Sequence, residues 1–140
     1  MHTSHIAAYL WALPNTLLGL GLASMAILPG GRAEIVDGVL EVWGTPYALF
    51  LQAFTGLAGG GAAAMTLGHV VLARDDHARR TTRIHERVHV RQYCLFGPFF
   101  LPAYALSSLA CVFRRQDPYY ANVFERHARR EETKARQRRR

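Results

Sequence analysis

Hydrophobic positions run unbroken by charge from residue 6 to residue 28 (IAAYLWALPNTLLGLGLASMAIL). A stretch of this length crosses about 30 Å of hydrocarbon as one helix, and it predicts a membrane span. No Lys or Arg precedes it, its apolar length exceeds a signal-peptide core, and the Leu28-Pro29-Gly30-Gly31 exit carries no A-x-A site. These features favour a retained anchor over a cleaved signal. Pro14 and Asn15 predict either a kink or a polar spot that faces protein, since an unpartnered amide in lipid is costly. Beyond the anchor, AEIVDGVLEVW (33–43) sets Asp37-Gly38 between two alternating, β-branched runs, the pattern of a two-strand hairpin.

Between Glu41 and Arg74 no charged residue occurs, and two readings stay open. Residues 47–67 form a second span with a Gly/Ala-rich packing face, or residues 63–73 form a buried strand beside the hairpin. The Gly59-Gly60-Gly61 break and the β-branched Val70-Val71 favour a short helix or loop and then the strand. Residues 74–95 (RDDHARRTTRIHERVHVRQYCL) open with Asp75-Asp76 as cap and first-turn acids and close before Gly97-Pro98, predicting one helix with Ile84, Val88 and Leu95 as its apolar stripe. Residues 96–113 are again uncharged; Pro98 and Pro102 suit an interfacial or re-entrant segment, or a hydrophobic helix packed in the core. Asp117-Pro118 reads as the start of a last helix carrying Glu125 and His127.

With 140 residues, half of them hydrophobic and 19% charged, the chain suits a single folded domain rather than a disordered segment. Cys94 and Cys111 make neither a disulfide framework nor a C-x-x-C metal pair, and are read as buried or lipid-facing thiols. The net charge of +7 is unevenly spread: one Arg against three acids leaves residues 1–73 at −2, and sixteen basic residues against seven acids leave 74–140 at +9. Such a half seeks an anionic surface. The apolar first half points to lipid headgroups, and the basic tail lacks the interleaved aromatic residues of a nucleic-acid binder. The basic excess places residues 74–140 on the cytoplasmic face.

Within the predicted helix, His85-Glu86-Arg87-Val88-His89 reads H-E-x-x-H. Histidines four apart stack on one helix face and can hold one Zn²⁺, while Glu86, about 100° round the helix, can act on water as a general base. The chain's own His and Glu content yields this pentapeptide by chance about 1.5% of the time, so coincidence is a weak competitor. The competing structural reading is a solvated helix on which Glu86 pairs with a neighbouring Arg. Two histidines do not complete a catalytic site. Glu125 is the preferred third ligand, donated by a second helix packed antiparallel to the first; His127 is the alternative, and Asp117 ranks below both. A capping acid answering Asn122 is the plainer role for Glu125. A shared metal also forbids residues 96–113 from crossing the bilayer, because the ligands would then lie on opposite sides. Tyr104, Tyr119, Tyr120 and His69 are candidate donors to a developing oxyanion, although His69 also reads as a satisfied polar residue and the tyrosine pair as an interfacial anchor.

His85-Glu86-x-x-His89 with a later Glu125 resembles the gluzincin type of zinc metallopeptidase. More narrowly, GHVVLARD (68–75), HERVHVRQY (85–93), GPFFLPAY (97–104) and NVFERHA (122–128) are similar to a group of small, uncharacterised bacterial membrane proteins with the pattern HE-x-VHVRQYE, GP-x-FLPAY and NPFEREA. This chain departs from that pattern at Val123 (Pro), Cys94 (Glu) and His127 (Glu). The resemblance implies His85, His89 and Glu125 as zinc ligands, Glu86 as catalytic base, and a strand alongside the cleft, which favours the strand reading of 63–73.

The resulting expectation is an α+β membrane-anchored protein: an N-terminal transmembrane helix (1–30), a small antiparallel sheet, and an HExxH helix packed with a Glu-bearing helix in a minimal zincin-like domain (31–130). A basic tail (131–140) follows. The expected function is that of a membrane-associated zinc metallohydrolase, most directly a peptidase acting on peptide or protein substrates. The alternatives are a non-enzymatic protein with a structural zinc, and a degenerate scaffold without metal.

Overall fold

Sequence periodicity resolves into eleven segments in the computed structural model, which describes residues 2–56 and 61–139. Helix α1 (His2–Ala23) runs into a 3₁₀ turn, Ser24–Ile27. Strands β1 (Gly31–Val36) and β2 (Val39–Gly44) follow, then α2 (Thr45–Thr55), β3 (Ala64–Leu67) and β4 (Val70–Ala73). Helix α3 (Asp76–Phe96), a second 3₁₀ turn (Gly97–Phe99), α4 (Phe100–Phe113) and α5 (Val123–Gln137) complete the chain. Gly59 and Gly60 of the expected break lie outside the described residues.

The first hairpin forms where Asp-Gly demands it, with Asp37 and Gly38 both at positive φ (49° and 75°), as a two-residue primed turn requires. Two features of the sheet differ from expectation. It is mixed rather than antiparallel: the order is β1-β2-β4-β3, and β2 pairs with β4 in parallel. The reason is the connection, since α2 and the chain after it carry the backbone across from β2 before β4 enters beside it. Residues 63–73 are also not one strand. Gly68, at φ +59°, reverses the chain into a tight β3–β4 hairpin, a signal weaker than Asp-Gly because the residue after it is His69. At 11 residues α2 is about 16 Å long, too short to span a bilayer.

The alternation of each strand sends its residues to two helical layers. Val42, Val70 and Leu72 are fully buried and meet Leu22 and Ala23 at the end of α1 and Met25 in the 3₁₀ turn after it, with Tyr47 of α2. The opposite face presents Val39 and Val71 to Val90 and Cys94 of α3. A third cluster joins Ala12 of α1 to Tyr93, Phe100, Tyr104 and Phe124, tying α1, α3, α4 and α5 together. Asn15 is the polar spot facing protein: its amide donates to the Gly97 carbonyl at 2.8 Å, and it is buried. Gly97 is held at φ +55° with the Trp11 indole against it, where any Cβ would collide.

Helix α3 starts where its sequence says, with the Asp75 carboxylate accepting from the Ala78 N–H at 2.7 Å. Helix α5 starts later than expected. Asp117 instead caps a turn, accepting from the N–H groups of Tyr119 and Tyr120, and Asn122 is the residue that caps the helix. Either Asx residue can open a helix; Asn122 wins because its amide also reaches the Tyr104 carbonyl and the Ser108 hydroxyl of α4. The expected apolar stripe of α3 is corrected too: Val88 is buried, but Leu95 is 73% exposed, and the buried apolar positions around it are Val90 and Tyr93.

Two helical stretches, His5–Ile27 and Asp76–Phe113, hold windows long and apolar enough to cross a membrane. Among the described residues helix α1 buries a narrow stripe, Ala12, Asn15, Gly19 and Ala23, and leaves Ile6, Leu10, Leu17 and Leu18 more than half exposed. Leu106, Val112 and Phe113 of α4 are exposed likewise.

The sheet is locked to α3 by Glu41, 1% exposed, whose carboxylate accepts from Arg79, Arg83 and Arg87 at 2.8–2.9 Å. Spacing of four along the helix brings all three guanidinium groups over one acid. Arg79 also lies over the Trp43 ring, 4.0 Å from its centroid. Removing one partner of a buried ion pair costs about 3–5 kcal/mol because the others are left buried and uncompensated. Glu41→Gln is therefore expected to lower the thermal midpoint by about 10 °C; an unchanged melting curve in detergent would show that the arginines find other partners.

Candidate metal centre

The 100° advance per residue divides α3 into three faces. His85, His89 and Gln92 lie on one, towards α5; Arg79, Arg83, Arg87 and Val90 lie on the face against the sheet; Arg91 lies on the third. Helix α5 crosses the first face antiparallel to α3, so that Arg136 reaches the Thr81 carbonyl at one end and Phe124 meets Gln92 at the other. This alignment sets Glu125, in the first turn of α5, opposite the two histidines.

His85 Nε2 and Glu125 Oε2 are 3.1 Å apart, His85 Nε2 and His89 Nε2 3.1 Å, and His89 Nε2 and Glu125 Oε1 3.3 Å. Tetrahedral coordination at about 2.0–2.1 Å places ligand atoms about 3.3 Å from one another. The cluster His85, His89 and Glu125 can thus hold a metal ion, and all three residues are buried. The surrounding bonds orient it. Gln92 Nε2 donates to the Phe124 carbonyl at 3.1 Å, which turns Gln92 Oε1 towards His89 Nδ1, 2.8 Å away. His89 Nδ1 must then carry the proton, leaving the Nε2 lone pair aimed at the cluster. His85 Nδ1 lies 3.4 Å from the Glu132 carboxylate, which directs its Nε2 inward in the same way. The Tyr104 hydroxyl donates to Glu125 Oε1 at 2.8 Å. Two imidazole lone pairs and a carboxylate so close in a buried site repel one another unless a cation lies between them.

The electrostatics carry that conflict. Burial opposes a charge on His89, but the Glu125 hydrogen bond and the Glu86 charge outweigh it and raise its pKa above the ordinary value. Burial by itself would raise Glu125; hydrogen bonds from His85, His89 and Tyr104 instead hold its carboxyl well below the usual carboxylate range. Glu86 is displaced upward, chiefly by burial, against the opposing pull of His89 and the Thr66 hydrogen bond. Its side chain turns from the histidine face towards β3, where the Thr66 hydroxyl donates to Oε2 at 2.6 Å. Glu86 does not pair with a neighbouring Arg, as a solvated helix would have it.

The other candidates fall elsewhere. His127 Nδ1 accepts from Gln92 Nε2 at 3.0 Å, so it supports a ligand's partner and is not itself in the cluster. Asp117 is spent on its turn. Of the four candidate oxyanion donors, Tyr104 hydrogen-bonds the cluster, and Tyr119 lies near enough that burial and the Glu125 carboxylate push its phenol up. Tyr119 and Tyr120 pack edge to face on each other near the Arg129 guanidinium. His69 lies on the far side of α3, stacked on Tyr9 and 3.5 Å from the Cys94 sulfur. Gln92, Glu132 and Thr66 were missed from sequence. The first had a readable signal, since a residue three after His89 shares its helix face; the other two depend on contacts across 47 and 20 residues. Comparison with family models, with curated proteins and with solved structures finds no match to this chain.

Proposed function

We propose that the protein is a membrane-anchored zinc metallohydrolase of zincin-like architecture, acting on peptide bonds. The observation that carries the reading is the convergence of His85 Nε2, His89 Nε2 and Glu125 at tetrahedral spacing with Glu86 next in the chain. Two imidazoles and a carboxylate suit Zn²⁺ and leave one position of four for solvent or substrate. Zinc bound there supplies a Lewis acid that acidifies water and polarises a carbonyl. The chain's own part follows from geometry. Thr66 fixes Glu86 Oε2, and Oε1 is the oxygen left to take a proton from the attacking water and return it to the departing amine. Tyr104, hydrogen-bonded to Glu125, is a hydroxyl donor placed at the cluster for a developing oxyanion. The exposed apolar faces of α1 and α4 supply the membrane-seated surface, with the basic half on the cytoplasmic side.

One observation favours a second reading, a structural zinc that joins α3 to α5: His85, His89 and Glu125 are only 9%, 6% and 4% exposed, and structural sites are closed. Hydrolysis of a mixed-sequence peptide library decides between them. The proposed function expects cleavage that stops on chelation and returns with one equivalent of zinc; tightly bound zinc with no cleavage would assign the metal to structure.

A further inference from the structure

On the side of α3 turned away from the metal cluster lies a groove of about 920 Å³, bounded by α3, the C-terminal end of α5, the β1–β2 turn and the first turns of α1. Six arginines line it: Arg80, Arg83, Arg87 and Arg91 from α3, and Arg136 and Arg139 from the end of α5. Asp37 is the carboxylate among its lining residues. Part of this charge is already met, because Arg80 pairs with Asp76, Arg83 and Arg87 with Glu41, and Arg136 with Glu132. Arg91 and Arg139 make no ion pair among the described residues, and Arg87 Nη1 is buried without a hydrogen-bond partner. A concave wall of guanidinium groups with donors to spare is built for an oxyanion that accepts several hydrogen bonds at once.

His5, His69, Thr81 and Cys94 also line it, and the remainder is apolar: Ile84 and Val90 lie among the α3 arginines, while Ala8 and Tyr9 of α1 and Val36 and Val39 of the hairpin form a second, apolar wall. From Tyr9 the surface of α1 continues through Ile6, Leu10 and Leu13, exposed by 59%, 64% and 40%. Positions 6, 9, 10 and 13 share one helix face. An occupant with a phosphate at one end and hydrocarbon at the other meets both walls.

We propose that this groove binds the phosphate headgroup of an anionic lipid, with the acyl chains laid along the outer face of α1. The basic tail expected over 131–140 thus has a defined counterpart: α5 runs antiparallel to α3 as far as Gln137, and Arg136, with Arg139 just beyond the helix, lines the groove. The inference shares with the proposed function only the reading of α1 as lipid-facing, and it is independent of the metal.

The test uses the full chain in nonionic detergent, titrated with dioctanoyl phosphatidylglycerol and followed by native mass spectrometry. Dioctanoyl phosphatidylcholine, inorganic phosphate and a single-stranded RNA oligonucleotide are run in parallel. Saturable binding of the anionic lipid over the zwitterionic one is expected, weakened on the order of thirty-fold by Arg91→Gln with Arg139→Gln. Arg114→Gln with Arg115→Gln, equal in charge and outside the groove, should leave it unchanged. Both double variants should keep the wild-type circular dichroism spectrum and thermal midpoint, which report that α3 and α5 still pack. Equal weakening by the two double variants would reduce the groove to diffuse charge and overturn the proposal. So would binding of inorganic phosphate as tight as that of the lipid, which would make this a free-phosphate site, or displacement of the lipid by RNA.

Discussion

His89→Ala is expected to cost zinc affinity by about 100- to 1,000-fold, and Glu125→Gln nearly as much. Structural zinc sites bind with apparent energies of about 10–16 kcal/mol spread over four ligands, so each ligand carries about 2.5–4 kcal/mol. Neither change should unfold the protein. In metal-free protein His89→Ala relieves the crowding of Nε2 against Nε2 at 3.1 Å, and glutamine retains an acceptor for the Tyr104 hydroxyl. The partners behind the ligands should matter less. Gln92→Ala frees the His89 ring to choose either tautomer, a loss of about 10- to 100-fold. His127→Ala, which removes only a neighbour of Gln92, should fall within a few-fold of wild type. Competition against a chromophoric chelator ranks the four variants. Stoichiometric, tightly held zinc in His89→Ala would remove the ligand assignment, and a loss in His127→Ala matching that in His89→Ala would move the third ligand to His127.

What sequence could say about this site follows from how local each contact is. The α3 helix was legible at both ends, because each end carries its own local signal, the Asp75 cap with an acidic first turn at one and the Gly97-Pro98 stop at the other, and an i, i+4 histidine pair needs only the helix to exist. Glu125 was legible as chemistry rather than as geometry: a third ligand was required, and a carboxylate on a following helix satisfied it. The start of α5 was not, since Asp117 and Asn122 are equal caps until α4 is in place to engage Asn122. Nor was the β2–β4 pairing, because parallel neighbours are set by a crossover and not by a turn motif. The Glu41 cluster joins one acid on a strand to three arginines about 40 residues on, and nothing in the local pattern of either segment announces it. The charge asymmetry marked the second half as strongly basic, yet only the antiparallel return of α5 shows that two distant runs of arginine line one groove.

Glu86→Gln should separate catalysis from structure most sharply. The side chain is not among the cluster's ligand atoms, so zinc content should stay at the wild-type value. Its Oε2 accepts from Thr66, and a glutamine carbonyl can take the same hydrogen bond, so its position should hold. Burial disfavours the ionised carboxylate, as its raised pKa records, and the neutral amide removes that cost. The metal-free variant should therefore melt no lower than wild type at neutral pH, with any shift upward. Peptide hydrolysis should fall by about 10²–10⁴-fold, because an amide cannot take the proton that attacking water must lose. Loss of turnover with zinc and stability intact is the signature of a base; a carboxylate kept for packing or for holding the metal would lose stability or zinc along with it. Turnover preserved in Glu86→Gln would mean that another group accepts the proton, and would remove Glu86 from the mechanism while leaving the three ligands where they are.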